Sequence, residues 1–172
     1  VSGARRGACV AFAAWTALAA PACSAPSPDA RFVATPPDRA TFPPVAEELV
    51  HRCGTLDCHG SSSRNLRIYG STGLRLDPGD RPSATQASTP AEIDRDFDGI
   101  VGLEPEILSE VIASGGAAPE RLTLVRKARG GEEHKGGAPF TAGDDQDKCL
   151  TSWLAGHADA DACARALALP IP

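Results

Sequence analysis

The sequence predicts a small, mainly α single domain with long loops. Three observations lead there. Apolar residues recur every three to four positions in several short segments bounded by Pro, Asp or Gly. The stretches between them are loop-forming, since the 172 residues include 17 Gly and 15 Pro, the two strongest breakers of regular structure. The length suits one domain, and no internal repeat points to a repeat architecture.

The chain opens with Val1-Ser2-Gly3-Ala4-Arg5-Arg6-Gly7, continues through an apolar run from Ala8 to Ala20, and leaves it through Pro21-Ala22-Cys23-Ser24. A short basic region, an apolar segment and a small-residue exit are the parts of a secretory signal. The run falls short of the ~20 residues of a membrane span. Residues 1–24 are therefore expected to be a signal peptide. Cys23 stands where a bacterial lipoprotein carries its acylated cysteine; ordinary cleavage before Cys23 is the alternative. Either way the protein is expected to be exported to the periplasm or cell envelope, with membrane anchoring through Cys23 in the first case. Residues 25–43 contain Pro26, Pro28, Pro36, Pro37 and Pro43. They read as a Pro/Ala-rich tether, because proline removes amide donors and blocks helix.

The domain is expected over residues 44–170. Pro44 to Arg52 predicts a helix: Pro44 suits the first turn, Glu47 and Glu48 favour its start, and Val45 and Leu49 recur at helical spacing. Ser61 to Pro90 is loop-rich. Within it Leu66-Arg67-Ile68-Tyr69 and Leu74-Arg75-Leu76 alternate apolar and polar residues and predict short extended segments. Ala91 to Val101 and Glu104 to Ala113 predict two helices split at Gly102, the second stopped by Gly115-Gly116. Leu122-Thr123-Leu124-Val125 predicts a short extended run. Gly130 to Phe140 is a glycine-rich loop carrying His134. Asp144 to Ala155 predicts a helix with Leu150, Trp153 and Leu154 inward and Gly156 as its stop. Ala158 to Leu167 predicts a last helix, ended before Pro170.

The chemistry centres on Cys53-Gly54-Thr55-Leu56-Asp57-Cys58-His59-Gly60. Two thiols followed at once by an imidazole can attach a haem covalently, the thiols adding to its vinyl groups and the histidine binding iron. The usual signature has two residues between the cysteines, whereas this one has four. The same residues also read as a small disulfide loop with His59 on a turn, since export leads to an oxidising compartment. Cys9 leaves with the signal and Cys23 is spoken for if acylated. Cys53, Cys58, Cys149 and Cys163 remain. Either the first pair holds haem and Cys149 and Cys163 form a disulfide, or there are two disulfides.

The chain has four His and no Met, so a second axial ligand cannot be the thioether found in many cytochromes. His51 lies on the helix leading into the motif and is kept near the proximal side. His157 follows a helix end and is expected in solvent. His134, among glycines that permit close approach to a flat ligand, is the expected distal ligand.

Other chemistries are weaker. Asp94-Arg95-Asp96-Phe97-Asp98-Gly99 matches the first half of a calcium loop, but its twelfth position is Pro105 where a bidentate Glu is needed. The run reads as an acidic helix surface. Zinc lacks a fourth ligand at short spacing, and no G-x-S-x-G elbow supports a hydrolase. A net charge of −5 without a basic patch argues against nucleic acid as a partner.

Taken together, these residues resemble a divergent c-type cytochrome domain, of the lipoprotein-like kind related to the planctomycete-type cytochromes. The resemblance rests on the helix into Cys53…Cys58-His59-Gly60, on His134-Lys135-Gly136-Gly137, and on Cys149-Leu150-Thr151-Ser152-Trp153-Leu154-Ala155-Gly156. It covers roughly Val45 to Gly156 and departs from the family in the cysteine spacing and the missing Met. It implies a cytochrome c-like fold, haem c attached at Cys53 and Cys58, and His59 as proximal ligand. The implied role is single-electron transfer with a redox partner protein, as a carrier rather than a catalyst. The alternative is a haem-free, disulfide-stapled envelope lipoprotein with a structural or interaction role.

Overall fold

The computed structural model describes residues 32–83 and 86–171. The expected signal peptide (1–24), Cys23 and residues 25–31 of the expected tether lie outside these. Among the described residues the chain is mainly helical and has no strand. Six α-helices follow in order: α1 Pro43–Cys53, α2 Pro90–Val101, α3 Pro105–Ala113, α4 Thr123–Ala128, α5 Asp145–Leu154 and α6 Ala160–Leu167. None is long and apolar enough to cross a membrane.

Local signals set the ends of most helices. Proline occupies the first turn of α1, α2 and α3, where its missing N–H costs nothing. Thr89 and Glu92 form a capping box on α2, satisfying two amides that would otherwise have no partner. Asp144 caps α5 through the Asp147 amide, and Asp159 caps α6 through the Ala162 amide.

The run from Leu122 to Val125 departs from its expected extended form. Thr123–Ala128 is helix α4. The Glu104 carboxylate accepts from both the Thr123 amide (2.6 Å) and its hydroxyl (2.9 Å). A remote side chain thus does the capping that no local residue does. The segments around Leu66 and Leu74, expected to be short extended segments, form no strand and join no sheet. Their backbone bonds go to the turn at His59 and Gly60 instead.

The core forms where α1 meets α2, α5 and α6. Phe42, Phe97 and Trp153 meet at its centre, with centroids 4.8 to 6.0 Å apart. Residues 32–43, expected to be the end of a free tether, are docked on this core. Pro37 and Phe42 are buried. The Trp153 indole donates to the Asp38 carbonyl (3.2 Å). Arg39 pairs with Asp94 and Asp98 and lies 4.0 Å over the Phe97 ring. Asp94 and Asp98 are therefore spent on Arg39. Asp96, expected on the same acidic surface, is buried and accepts from the Tyr69 amide at 2.8 Å.

Cys149 and Cys163 form a disulfide joining α5 to α6, with Cα atoms 4.7 Å apart. Elsewhere the loop from Tyr69 to Thr89 is pinned by carboxylates. Glu92 accepts from Arg75 (2.8 and 2.9 Å), the Leu76 amide and the Thr89 amide. Burial works against ionisation of Glu92, but these donors outweigh it and hold the carboxyl below its ordinary value.

Candidate cofactor site

The site begins where α1 ends. Cys53 is the last residue of α1, and Gly54 closes it by donating to the Val50 carbonyl. The chain then folds back on itself. The His59 amide donates to the Cys53 carbonyl (2.8 Å), and the Cys58 and Gly60 amides both donate to the Thr55 carbonyl (2.9 and 3.0 Å). Arg64 donates to the carbonyls of Cys58 and Asp57 at 3.1 and 2.9 Å. The widened spacing between the cysteines is thus one tightly bonded turn.

That turn needs glycine at a crossing point. A Cβ on Gly60 would stand 2.9 Å from the Gly73 Cα and would collide with the Gly54 carbonyl. A Cβ on Gly73 would stand 2.8 Å from the Gly60 Cα. Backbone meets backbone here, so no side-chain adjustment can relieve the clash.

His59 follows with a fixed tautomer. Its Nδ1 lies 3.0 Å from the Leu66 carbonyl. A carbonyl only accepts, so Nδ1 carries the proton and Nε2 keeps its lone pair. Burial lowers the His59 pKa, the Leu66 bond opposes this, and the nearby His134 adds to the lowering. The ring is therefore neutral near pH 7, the form a metal binds.

Cys53, Cys58, His59 and His134 all line one cleft of about 640 Å³, within the size range of small-molecule and cofactor sites. Leu66 and Ile68 continue the wall behind the cysteine turn. Leu103, between α2 and α3, and Leu124, Lys127 and Ala128 of α4 also line it. Both thiols are free and half-buried. Burial, Glu48 and Cys58 push the Cys53 thiol up to about 12, so it is not a thiolate at neutral pH and makes a poor exchange nucleophile.

His134 arrives from the loop after α4. Glu132 ties that loop back through Arg126 (2.9 Å) and Lys127 (3.1 Å). A side chain on Gly136 would press on the His134 ring, its Cβ only 2.9 Å from Cε1. The His59 and His134 rings are nearly parallel, 13° apart, with centroids 5.8 Å apart. That exceeds the ~3.5–4.0 Å of atoms in contact. The His134 Nδ1 is buried without a hydrogen-bond partner.

The other expected residues fall elsewhere. His51 donates through Nε2 to the Leu169 carbonyl (2.6 Å), away from the cleft. His157 is exposed. Among the described residues no three His, Cys, Asp or Glu come together as a protein-only metal site. Two imidazoles and two thiols fit better to a ligand that brings its own donors, as a porphyrin does. The sequence reading missed the Leu66 carbonyl and the α4 wall. The first is a backbone atom with no residue signature, and the second was hidden by reading α4 as extended.

No protein-family description, curated protein or solved structure matches this chain.

Proposed function

We propose that this protein is an exported c-type haem protein that carries single electrons, with haem c attached at Cys53 and Cys58. One observation carries the reading: the His59 Nε2 lone pair is left available by the Leu66 bond, in the same cleft as two free thiols and a second imidazole.

Bound there, haem supplies a one-electron iron couple. The chain's own residues do the rest. Cys53 and Cys58 provide the thioether bonds. The Leu66 carbonyl holds the His59 ring in one tautomer and orientation, as partners of metal-bound histidines do. His134, held on its loop by Glu132, would offer the group a second imidazole. Leu66, Ile68, Leu124 and Ala128, which line the cleft, would shield the group from water. With two histidines and no methionine to hold the iron, the potential would lie below that of His/Met cytochromes. With both imidazoles committed to the group, little room would remain for a substrate, which favours a carrier over a catalyst. A redox partner protein and, through Cys23, a lipid anchor belong to the same proposal.

The Cys149–Cys163 disulfide also suits a haem-free, stapled envelope protein, the second reading. Co-expression with a c-type maturation system separates the two. The first reading expects a Soret band that survives denaturing electrophoresis and is lost in Cys58→Ser. A colourless protein whose Cys53 and Cys58 are linked to each other by mass spectrometry overturns it in favour of the second.

A further inference from the structure

Glu48 is a buried acid that the site as described does not use. It lies on α1, on the helix that ends at Cys53, and none of its surface is exposed. Neither carboxyl oxygen has a hydrogen-bond partner. That is unusual, because buried polar groups are nearly always paired. Glu92, equally buried, shows the ordinary solution with three donor groups around it.

The nearest cation does not pair with Glu48. Arg52, one turn further along α1, donates through Nη1 to the Pro170 carbonyl at 2.8 Å. Its Nε donates to the Gln146 side-chain oxygen at 2.5 Å, while the Gln146 nitrogen donates to the Pro139 carbonyl at 2.8 Å. The titratable and charged groups acting on Glu48 are Arg52 on α1 and Asp144 at the cap of α5. Its own charge in turn acts on the Cys53 thiol at the cleft wall. Glu48 thus sits in the protein interior, without a hydrogen-bond partner and acted on by Arg52 only at a distance, within electrostatic reach of the cleft.

Resting on the haem reading above, we infer that Glu48 is a redox-linked proton acceptor: the site takes up one proton at this carboxylate when it takes up one electron. On reduction, one electron from a one-electron donor adds negative charge to the site. One proton from solvent bonds to a Glu48 carboxylate oxygen, forming O–H, and the buried charge is unchanged. Oxidation reverses both transfers. An unscreened charge in a low-dielectric interior couples strongly to a neighbouring one, and the coupling is reciprocal, so protonated Glu48 raises the midpoint potential. Burial already pushes the Glu48 carboxyl up to about 8, which puts the linkage in an accessible pH range.

Potentiometric titration of the haem-loaded protein from pH 6 to 10 tests this. The expected midpoint falls with pH around pH 8 by up to ~59 mV per unit, the one-electron equivalent of a tenfold change, and is level on either side. Glu48→Gln removes that slope, and Glu48→Asp keeps one. Reduced-minus-oxidised infrared spectra of wild type at pH 8 should show a protonated-carboxyl C=O band appearing on reduction and absent in Glu48→Gln. A level midpoint in wild type, a slope unchanged in Glu48→Gln, or no carboxyl band overturns the inference while a Soret band leaves the haem reading standing. If Glu48→Gln fails to fold, the wild-type titration and infrared spectrum decide alone. A colourless protein overturns both.

Discussion

The two cysteine pairs of the described chain lie in contrasting surroundings. Cys149 and Cys163 are fully buried, on two helices packed against each other, and they are bonded. Cys53 and Cys58 are half-buried at the wall of a cleft, joined by a turn that satisfies its own backbone bonds, and they are free. A disulfide ties the first region, whereas the second is ordered by backbone bonds, by Arg64 and by a glycine crossing. Cysteines at the second region are therefore not needed to hold their own turn, and they remain available to a ligand.

The sharpest way to break that contrast is to remove the two pairs in turn. Replacing Cys149 and Cys163 together by Ser should cost about 3 kcal/mol, within the ~2–5 kcal/mol usual for a native disulfide, measured by denaturant unfolding. Replacing Cys53 and Cys58 together should cost well under that. Equal losses would mean that the open pair also serves as a staple.

Acid groups divide along similar lines. Glu48 and Asp96 are buried and short of partners, and burial raises each to about 8 from ordinary values of 4.5 and 3.8. In both, the folded protein holds its proton at a pH where the unfolded chain has lost it. Their contribution is full below about pH 4 and is lost as pH rises through about 8. Stability should then fall by roughly 1–3 kcal/mol per group between pH 5 and pH 9. Chemical unfolding across that range should show the decline, and Glu48→Gln or Asp96→Asn should each flatten it. Glu92, held ionised by Arg75 and two amides, has the opposite sign: its contribution is present above the ordinary carboxyl range and lost only in acid.

Smaller effects sharpen the picture at each region. Asp159→Ala removes the cap of α6 beside the disulfide and should cost ~1 kcal/mol in thermal unfolding. Arg64→Ala removes two bonds to the open turn. It should leave global stability within ~1 kcal/mol while speeding amide exchange at Cys58 and His59.

Much of this was legible in the sequence, and for identifiable reasons. Helices α1, α2, α3, α5 and α6 carry their own punctuation: Pro43 and Pro44, Thr89 with Glu92, Pro105, Asp144, and Asp159. Helix α4 carries none, because its cap is Glu104, on a different segment of the chain. Cys53, Cys58 and His59 were legible as residue types at recognisable spacing and His134 as the histidine of a glycine-rich loop, and all four line one cleft. The docking of residues 32–43 was not, since a proline-rich composition looks the same whether the chain floats or lies in a groove. Glu48 was not either. In the sequence it marks a solvated helix start, and only the packing of the fold turns it into a buried acid.

The crossing of Gly60 and Gly73 has a practical consequence for anyone mutating the protein. Both positions sit among small, polar surroundings that look permissive, yet even one methyl group there would wedge two chain segments apart. A library screened for folded protein should find both intolerant of any side chain, though neither can touch a ligand with a side chain it does not possess.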